Sequence, residues 1–351
     1  MPFAFSTMRA TADQEPSLFV RKDPANKASP GINLQTAITT VNRKRGTAMK
    51  VEDIKKILII GSGTMGQQIG FVCAMKGYDV ALYDLSEELL VKAMARIRKI
   101  ANGYVKAKRL SQMDADAAIN RISQSNNPQK AGRDADFISE SVPENPALKG
   151  EVFGLFNKIC PDHTIFTTNT STLVPSMFAE ATGRPDKFAA FHFHDVRFTN
   201  LVDIMPHPGT SEETIKLIED FAYKIGQNPI TLKKENSGYV FNVMLSALLD
   251  SAETLAANDV SSVEDIDRSW MAVFHMPIGP FGIIDSIGLE TVWKVNDFWA
   301  TRLNHGQFRK NADFLKRYID QGRLGVKSGK GFYEYPDPEY RKADFTTNKK
   351  S

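Results

Sequence analysis

The sequence predicts two architectures in succession: an α/β layer domain with a mostly parallel sheet, then a domain built only of helices. Three observations carry this. Short apolar runs alternate with helical patterns between residues 55 and 233, the trace left by parallel strands joined through crossover helices. A glycine-rich turn joins the first run to the first helix. After Lys234 the strand-like runs stop and only helical periodicity remains.

The elements follow in order. Residues 57–60, Ile-Leu-Ile-Ile, form a buried-strand run ending at Gly61, and 64–76 read as a helix. Residues 79–83 are a second strand closed by Asp84. Ser86 caps the next helix, with Glu87 and Glu88 in its first turn and Arg96, Arg98 and Lys99 further along, charges that suit the helix dipole. Ser111 with Asp114 starts another. Strand-like runs recur at 135–142, 164–168, 188–193, 201–205 and 229–233. In the second half, 241–257 is a strongly apolar helix, and Ser261-x-x-Glu264 reads as a capping box opening the next. The stretch 276–282 breaks the chain before 283–287; 289–303 and 309–320 are further helices, and 329–335 is a glycine-aromatic coil. The expected divisions are a disordered extension at 1–52, the α/β domain at 53–236, the helical domain at 237–338 and a flexible tail at 339–351.

Composition narrows the function classes. The 351 residues carry 44 Lys+Arg against 41 Asp+Glu, but residues 1–50 hold eight of the bases and only three of the acids. The body is therefore near neutral, and no nucleic-acid partner follows from its charge. No run approaches the ~18–20 apolar residues of a membrane span. The two cysteines, Cys73 and Cys160, can form neither a disulfide framework nor a thiolate metal site. A reducing, cytoplasmic setting fits. Residues 1–50, punctuated by Pro2, Pro16, Pro24 and Pro30, bury too little apolar surface to offset their entropy, so they read as a disordered extension or as sequence upstream of a start at Met49. The rival is a mitochondrial presequence, favoured by Arg9 and Arg21 and opposed by Asp13, Glu15 and Pro16.

Gly61-Ser62-Gly63-Thr64-Met65-Gly66 is G-x-G-x-x-G, and here it follows a strand and opens a helix. Asp84 closes the second strand at the distance expected of a ribose-binding acid. Gly61 permits the turn, Gly63 lets backbone approach a pyrophosphate, and Gly66 lets helix pack on strand. Thr64 and Met65 lie in the first helical turn, whose N-terminus faces the phosphates. Asp84 would accept hydrogen bonds from ribose hydroxyls and repel a 2′-phosphate, which favours NAD over NADP. The first domain is thus expected to be a Rossmann-type dinucleotide-binding domain.

Seven stretches occur in one order: 61–66, Ser141-Val-Pro-Glu-Asn145, Thr168-Asn-Thr-Ser-Thr-Leu173, Phe191-His-Phe193, Ser237-Gly-Tyr-Val-Phe-Asn242, Met276-Pro-Ile-Gly-Pro-Phe281 and Gly331-Phe-Tyr333. In this register, across about 54–336, the chain resembles the L-3-hydroxyacyl-CoA dehydrogenase family. The resemblance implies reversible NAD-dependent oxidation of an (S)-3-hydroxyacyl-CoA in fatty-acid metabolism, and a homodimer formed through the helical domain. It matches His192 to the acid/base, Ser171 and Asn242 to groups that hydrogen-bond substrate, and Glu144, Lys149 and Asn169 to contacts with the nicotinamide half of the cofactor. Alternatives are a relative acting on a non-CoA 3-hydroxy acid, such as a sugar acid or carnitine, and a nucleotide-binding protein without turnover.

The residues themselves support an acid/base at His192, since an imidazole titrates near neutrality and can take the proton that a hydroxyl loses as hydride departs. In a strand His192 and His194 share a face. His192-x-His194 with Asp195 and Asp203 also reads as a metal set, but the nucleotide fingerprint accounts for more of the chain and no metal is assigned. The sequence departs from the family pattern at Asp195-Val196, where Asn-Pro is usual, at Asp203, one residue early and one methylene short of the usual Glu, and at Val243, where Arg is frequent. Asp203 lies in an apolar run that reads as a neighbouring strand, so it is the expected partner of His192, whereas Asp195, three residues on, points away. Arg96, Arg98, Lys99, Lys106, Lys108 and Arg109 form either a solvated helix face or contacts to CoA phosphates. Apolar surface in helices 241–257 and 283–303 exceeds what a small monomeric unit buries, which again points to a dimer.

Overall fold

The computed structural model describes residues 49–347. Residues 1–48 of the expected extension and the last four residues of the expected tail lie outside them. The α/β part contains β1 (Lys56–Ile60), α1 (Thr64–Met75), β2 (Asp79–Tyr83), α2 (Glu87–Lys106), α3 (Gln112–Asn120), β3 (Ile122–Ser125), α4 (Pro128–Gly132), β4 (Phe137–Glu140), α5 (Pro146–Asn157), β5 (Ile165–Thr168), β6 (Phe188–Phe193), β7 (Leu201–Pro206), α6 (Glu212–Lys224) and β8 (Asn228–Thr231). The helical part contains α7 (Phe241–Ala257), α8 (Val263–Phe274), α9 (Pro280–Ile287), α10 (Leu289–Leu303) and α11 (Gly306–Ile319). None of the described helices is long and apolar enough to cross a membrane.

The eight strands form one sheet in the order β3-β2-β1-β4-β5-β6-β7-β8. All neighbours are parallel except β6 and β7, which run antiparallel. β1 is apolar from Ile57 to Ile60 because both faces of the sheet are covered: Ile57 and Ile59 enter the core under α1, α2 and α6, while Leu58 and Ile60 enter the one under α5. The strand order changes direction between β1 and β4, where α/β sheets open a ligand crevice. This is the Rossmann-type domain followed by a helical domain that the sequence predicts.

Several local readings are corrected. β3 was not anticipated; only its Ile122 is buried, and a short polar edge strand leaves almost no periodicity. The cap of α8 is Ser262, whose hydroxyl accepts from Asp265 N–H, not Ser261. α9 begins at Pro280, where a ring without an N–H costs nothing in a first turn. Residues 49–52, assigned to the extension, are ordered, with Met49 and Val51 packed on the first core. Residues 339–347, expected to be a flexible tail, are held in place: Tyr340 and Phe345 pack against Tyr333 with ring centroids 5.0 and 6.5 Å away, and Arg268 Nε donates to Phe345 O at 2.7 Å.

Two buried aspartates tie the glycine-aromatic coil to the helical core. Asp285 accepts from Phe332 N–H, Tyr333 N–H and Tyr335 O–H; Asp267 accepts from Phe281 N–H, Gly282 N–H and Tyr333 O–H. Burial pushes the Asp267 carboxyl up to about 6 despite these bonds. Glu253 in α7 is less well served. It is fully buried and, among the described residues, accepts only from Asn296, so burial pushes it up to about 8.

Glu253 therefore makes stability depend on pH. In the unfolded chain a Glu titrates near ~4.3, so between there and about 8 the native state keeps a proton that the unfolded state has lost. Its contribution is complete below the unfolded value and falls by up to ~1.4 kcal/mol per pH unit until the folded value is passed. Glu253→Gln should remove that loss. Denaturant unfolding at several pH values should show a stability gain over the parent that grows from pH 5 to pH 8; a gain independent of pH would contradict the assignment.

Candidate active site

The site begins at the turn between β1 and α1. Gly61 has φ +98°, and a Cβ there would meet Ser141 O at 2.7 Å; a Cβ on Gly66 would lie 2.0 Å from Gly61 O. Above Gly63 there is nothing within 4 Å, so a phosphate can approach the backbone. No side chain caps α1, which leaves the first-turn N–H groups of Thr64 and Met65 free for an anion. Asp84 at the end of β2 is held open to the same space: its Oδ2 accepts from Ser62 N–H at 2.8 Å and Ser62 O–H at 2.6 Å, and its Oδ1 from Leu85 N–H at 2.7 Å. A glycine cradle, an uncapped helix and an acid beside it fit a dinucleotide.

These groups line a cavity of about 1000 Å³ that continues past Glu144, Asn169 and Ser171 to His192, His194, Asp195 and, from the first turn of α7, Asn242. The antiparallel pairing of β6 with β7 sets His192 opposite Asp203, and His192 Nδ1 lies 3.1 Å from Asp203 Oδ2. With Nδ1–H donating to the carboxylate, the Nε2 lone pair is free. Asp203 is fully buried; burial works to raise its carboxyl, but the hydrogen bonds from His192 and His194 outweigh it and hold it below the usual carboxylate range. Asp195, in contrast, pairs with Arg197, which lowers it, and takes no part in that cluster.

The structure brings together Glu144, Asn169 and Ser171. Glu144 Oε1 accepts from Thr170 O–H at 2.7 Å and Ser171 N–H at 3.0 Å, so it shapes the loop that presents the Ser171 hydroxyl. Asn169 Oδ1 accepts from Phe193 N–H at 2.8 Å and locks the ends of β5 and β6 together. Lys149 is placed differently from the other expected residues. Its ammonium is wholly buried, 2.8 and 3.0 Å from the Glu140 oxygens and 3.4 Å from Glu144, and it does not line the cavity. It supports the wall from behind.

Two participants escaped the sequence reading, and a third, His194, was read there only as sharing the face of His192 and in a metal set that was not assigned. Glu140 is the partner of Lys149 and also accepts from Thr168 O–H at 2.6 Å and Val142 N–H at 2.6 Å; a charge inside an apolar strand run was the available signal. The Tyr239 ring lies over His192 with centroids 4.8 Å apart. His194 Nε2 lies 3.0 Å from Asp203 Oδ2, the same oxygen that His192 uses. A second recess of about 600 Å³ shares Thr64 and Arg96 with the main cavity and adds Lys99, Arg109 and Arg197, which makes it strongly basic.

Comparison with known proteins agrees with this geometry. The family profile described as 3-hydroxyacyl-CoA dehydrogenase, NAD binding domain, matches residues 56–236, and the one described as 3-hydroxyacyl-CoA dehydrogenase, C-terminal domain, matches residues 238–335. The chain is 33% identical over 287 residues to the probable 3-hydroxybutyryl-CoA dehydrogenase of Bacillus subtilis, covering 81% of this chain and 99% of that protein. It is 31% identical over 288 residues to the mitochondrial hydroxyacyl-coenzyme A dehydrogenase of Sus scrofa, covering 80% and 91%. Among solved structures it is similar to a diketoreductase studied for substrate-directed dual catalysis of dicarbonyl compounds, with TM-score 0.76 and 36% identity over 80% of this chain and 99% of that one. A dinucleotide cradle, a buried His–carboxylate pair at its far end and profile matches spanning both domains lead to one conclusion: the chain belongs to the 3-hydroxyacyl-CoA dehydrogenase family.

Proposed function

We propose that this protein oxidises the 3-hydroxyl of an (S)-3-hydroxyacyl-CoA with NAD, and reduces the 3-ketoacyl-CoA in reverse, in fatty-acid or related acyl-CoA metabolism. The observation that carries the reading is the His192–Asp203 pair, 3.1 Å apart, at the end of a cavity that starts in a dinucleotide cradle. Bound there, NAD would supply the hydride acceptor for C3. His192 Nε2 takes the hydroxyl proton, and Asp203 fixes the tautomer and stabilises the imidazolium that forms. The Ser171 hydroxyl and the Asn242 amide hold the substrate oxygen. Gly61, Gly63, Thr64, Met65 and Gly66 receive the pyrophosphate, Asp84 the ribose, and Glu144 and Asn169 shape the nicotinamide end with Lys149 behind them. The recess of Arg96, Lys99, Arg109 and Arg197 supplies the cations that CoA phosphates need. Two buried free thiols, Cys73 and Cys160, suit a reducing compartment such as the cytoplasm.

A second reading, a non-CoA 3-keto substrate, draws on the similarity to the diketoreductase and on Asp195-Val196, which replaces the Asn-Pro usual after the histidine. Acetoacetyl-CoA and a free dicarbonyl ester, each followed by loss of NADH absorbance, decide between them. Faster turnover of the thioester supports the main reading, and turnover of the ester alone supports the second. NADH binding without turnover of any 3-keto compound would leave only a nucleotide-binding protein. NADPH should be the poorer reductant, because Asp84 repels a 2′-phosphate.

Asp203→Asn should leave NADH affinity intact and lower turnover by roughly 10²–10⁴-fold, the scale of losing acid–base function. His192→Ala should do the same, and the double variant should be hardly worse than either single, because the two side chains act as one unit. Near-full turnover of Asp203→Asn alone would place the orienting carboxylate elsewhere.

We further infer a homodimer through the helical domain. Met244, Phe274, Phe298 and Leu303 are each more than half exposed there, a larger apolar display than a monomer of this size usually leaves in water. Sedimentation at micromolar concentration should show a dimer; a monomer alone would contradict the inference.

A further inference from the structure

One residue of the cleft has no part in that chemistry. His194 stands in the cavity wall, yet its Nε2 is bound to the oxygen that positions His192. The donor atoms of His192, His194 and Asp203 all lie within 4.8 Å of one another. Asp203 is fully buried, and its second oxygen, Oδ1, has no hydrogen-bond partner among the described residues. A buried carboxylate served by two imidazole nitrogens on one oxygen, and by nothing on the other, keeps a demand for positive charge. The two imidazoles cannot both supply it, since their ring centroids are 4.7 Å apart and two charges there would repel. A divalent ion can supply it without new ligands. Two imidazole nitrogens and one carboxylate oxygen are the donor set of transition-metal sites. Around a tetrahedral ion at ~2.0–2.1 Å the donors stand about 3.3 Å apart, within a few tenths of an ångström of the 3.1 and 3.0 Å separations from Asp203 Oδ2.

We propose that His192, His194 and Asp203 form a binding site for a borderline divalent transition ion such as zinc, and that its occupancy switches the enzyme off. The ion takes the Nδ1 lone pair of His192 and the Nε2 lone pair of His194. Each neutral ring keeps its single proton on the other nitrogen, so none is released. In His192 that other nitrogen is Nε2, the one left for the substrate. Once protonated, it has no lone pair with which to take the hydroxyl proton. Metal and substrate chemistry are thus mutually exclusive at one imidazole. The switch rests on His192 being the base of the proposed dehydrogenase; the binding site does not.

The test uses the full chain, stripped with a chelator. Cobalt(II) is titrated in and followed by its visible ligand-field absorption, zinc is used to displace it, and zinc is titrated against NADH-linked turnover. His194→Phe and His194→Gln are run in parallel, each first checked for NADH binding as proof of folding; the glutamine keeps an N–H for Asp203 but offers no imidazole. One cobalt per chain is expected in the parent, with turnover falling at least roughly tenfold as zinc fills the site. Both variants should bind metal weaker by at least the roughly 10–100-fold that loss of even an outer-shell partner costs, and their remaining turnover should ignore the zinc that silences the parent. No cobalt spectrum in the parent, or one that survives in both variants, overturns the site. Full turnover with the site saturated overturns the switch. Metal binding that depends on His194, in a protein that turns over no 3-keto compound, supports the site and removes the proposed function instead.

Discussion

A carboxylate with no exposure to solvent sits at the turning point of this structure. Asp203 is tolerated in an apolar strand only because β7 runs antiparallel to β6, which sets it directly across from His192 and within reach of His194. A parallel neighbour in that position would have presented another register, and the charge would have been buried alone at a cost of several kcal/mol. The reversal of strand direction is therefore part of the chemistry. It gives β6 an imidazole whose Nδ1 is held by a buried carboxylate, with Nε2 left for the cavity.

The opposite wall is organised by the same constraint. Glu140 and Lys149 are both fully enclosed, and their pairing is worth its desolvation only because Thr168, Val142 N–H and Glu144 complete the network. Glu140 ends β4 and Lys149 lies one helical turn into α5, so the pair holds the loop 141–145 at fixed height above the crevice. Glu144, on that loop, then grips the Ser171 backbone. Three carboxylates thus place most of the polar lining, each anchored by hydrogen bonds rather than by loop stiffness. In the helical domain Asp267 and Asp285 repeat the device, where backbone N–H groups of the coil and of α9 would otherwise be buried unpaired.

What was legible in the chain was local chemistry. The apolar run of β1, the glycine spacing after it and the caps Ser86 and Ser111 declare themselves because each depends on residues a few positions apart. The bounds of α7 coincide with the apolar stretch 241–257 for the same reason. Alternation of strand and helix was enough to state a parallel α/β domain, since crossover connections need intervening helices. The proximity of Asp203 to His192 could be argued because two adjacent strands joined by a short loop have few ways to pair.

Tertiary structure decided whatever depended on partners far away in sequence. β3 exists as a strand because β2 offers it an edge, not because Ile-Ser-Gln-Ser has a strand pattern. Residues 339–347 are ordered by Tyr333 and Arg268, which no periodicity in the tail could reveal. Lys149 is internal because Glu140 awaits it, and His194, one residue past β6, joins His192 at one oxygen because β7 sets Asp203 across from His192. Sequence spacing determines which side chains share a face. Only packing determines which of them meet, since the cost of burying a charge is met by whatever partner the fold brings within 3 Å or so.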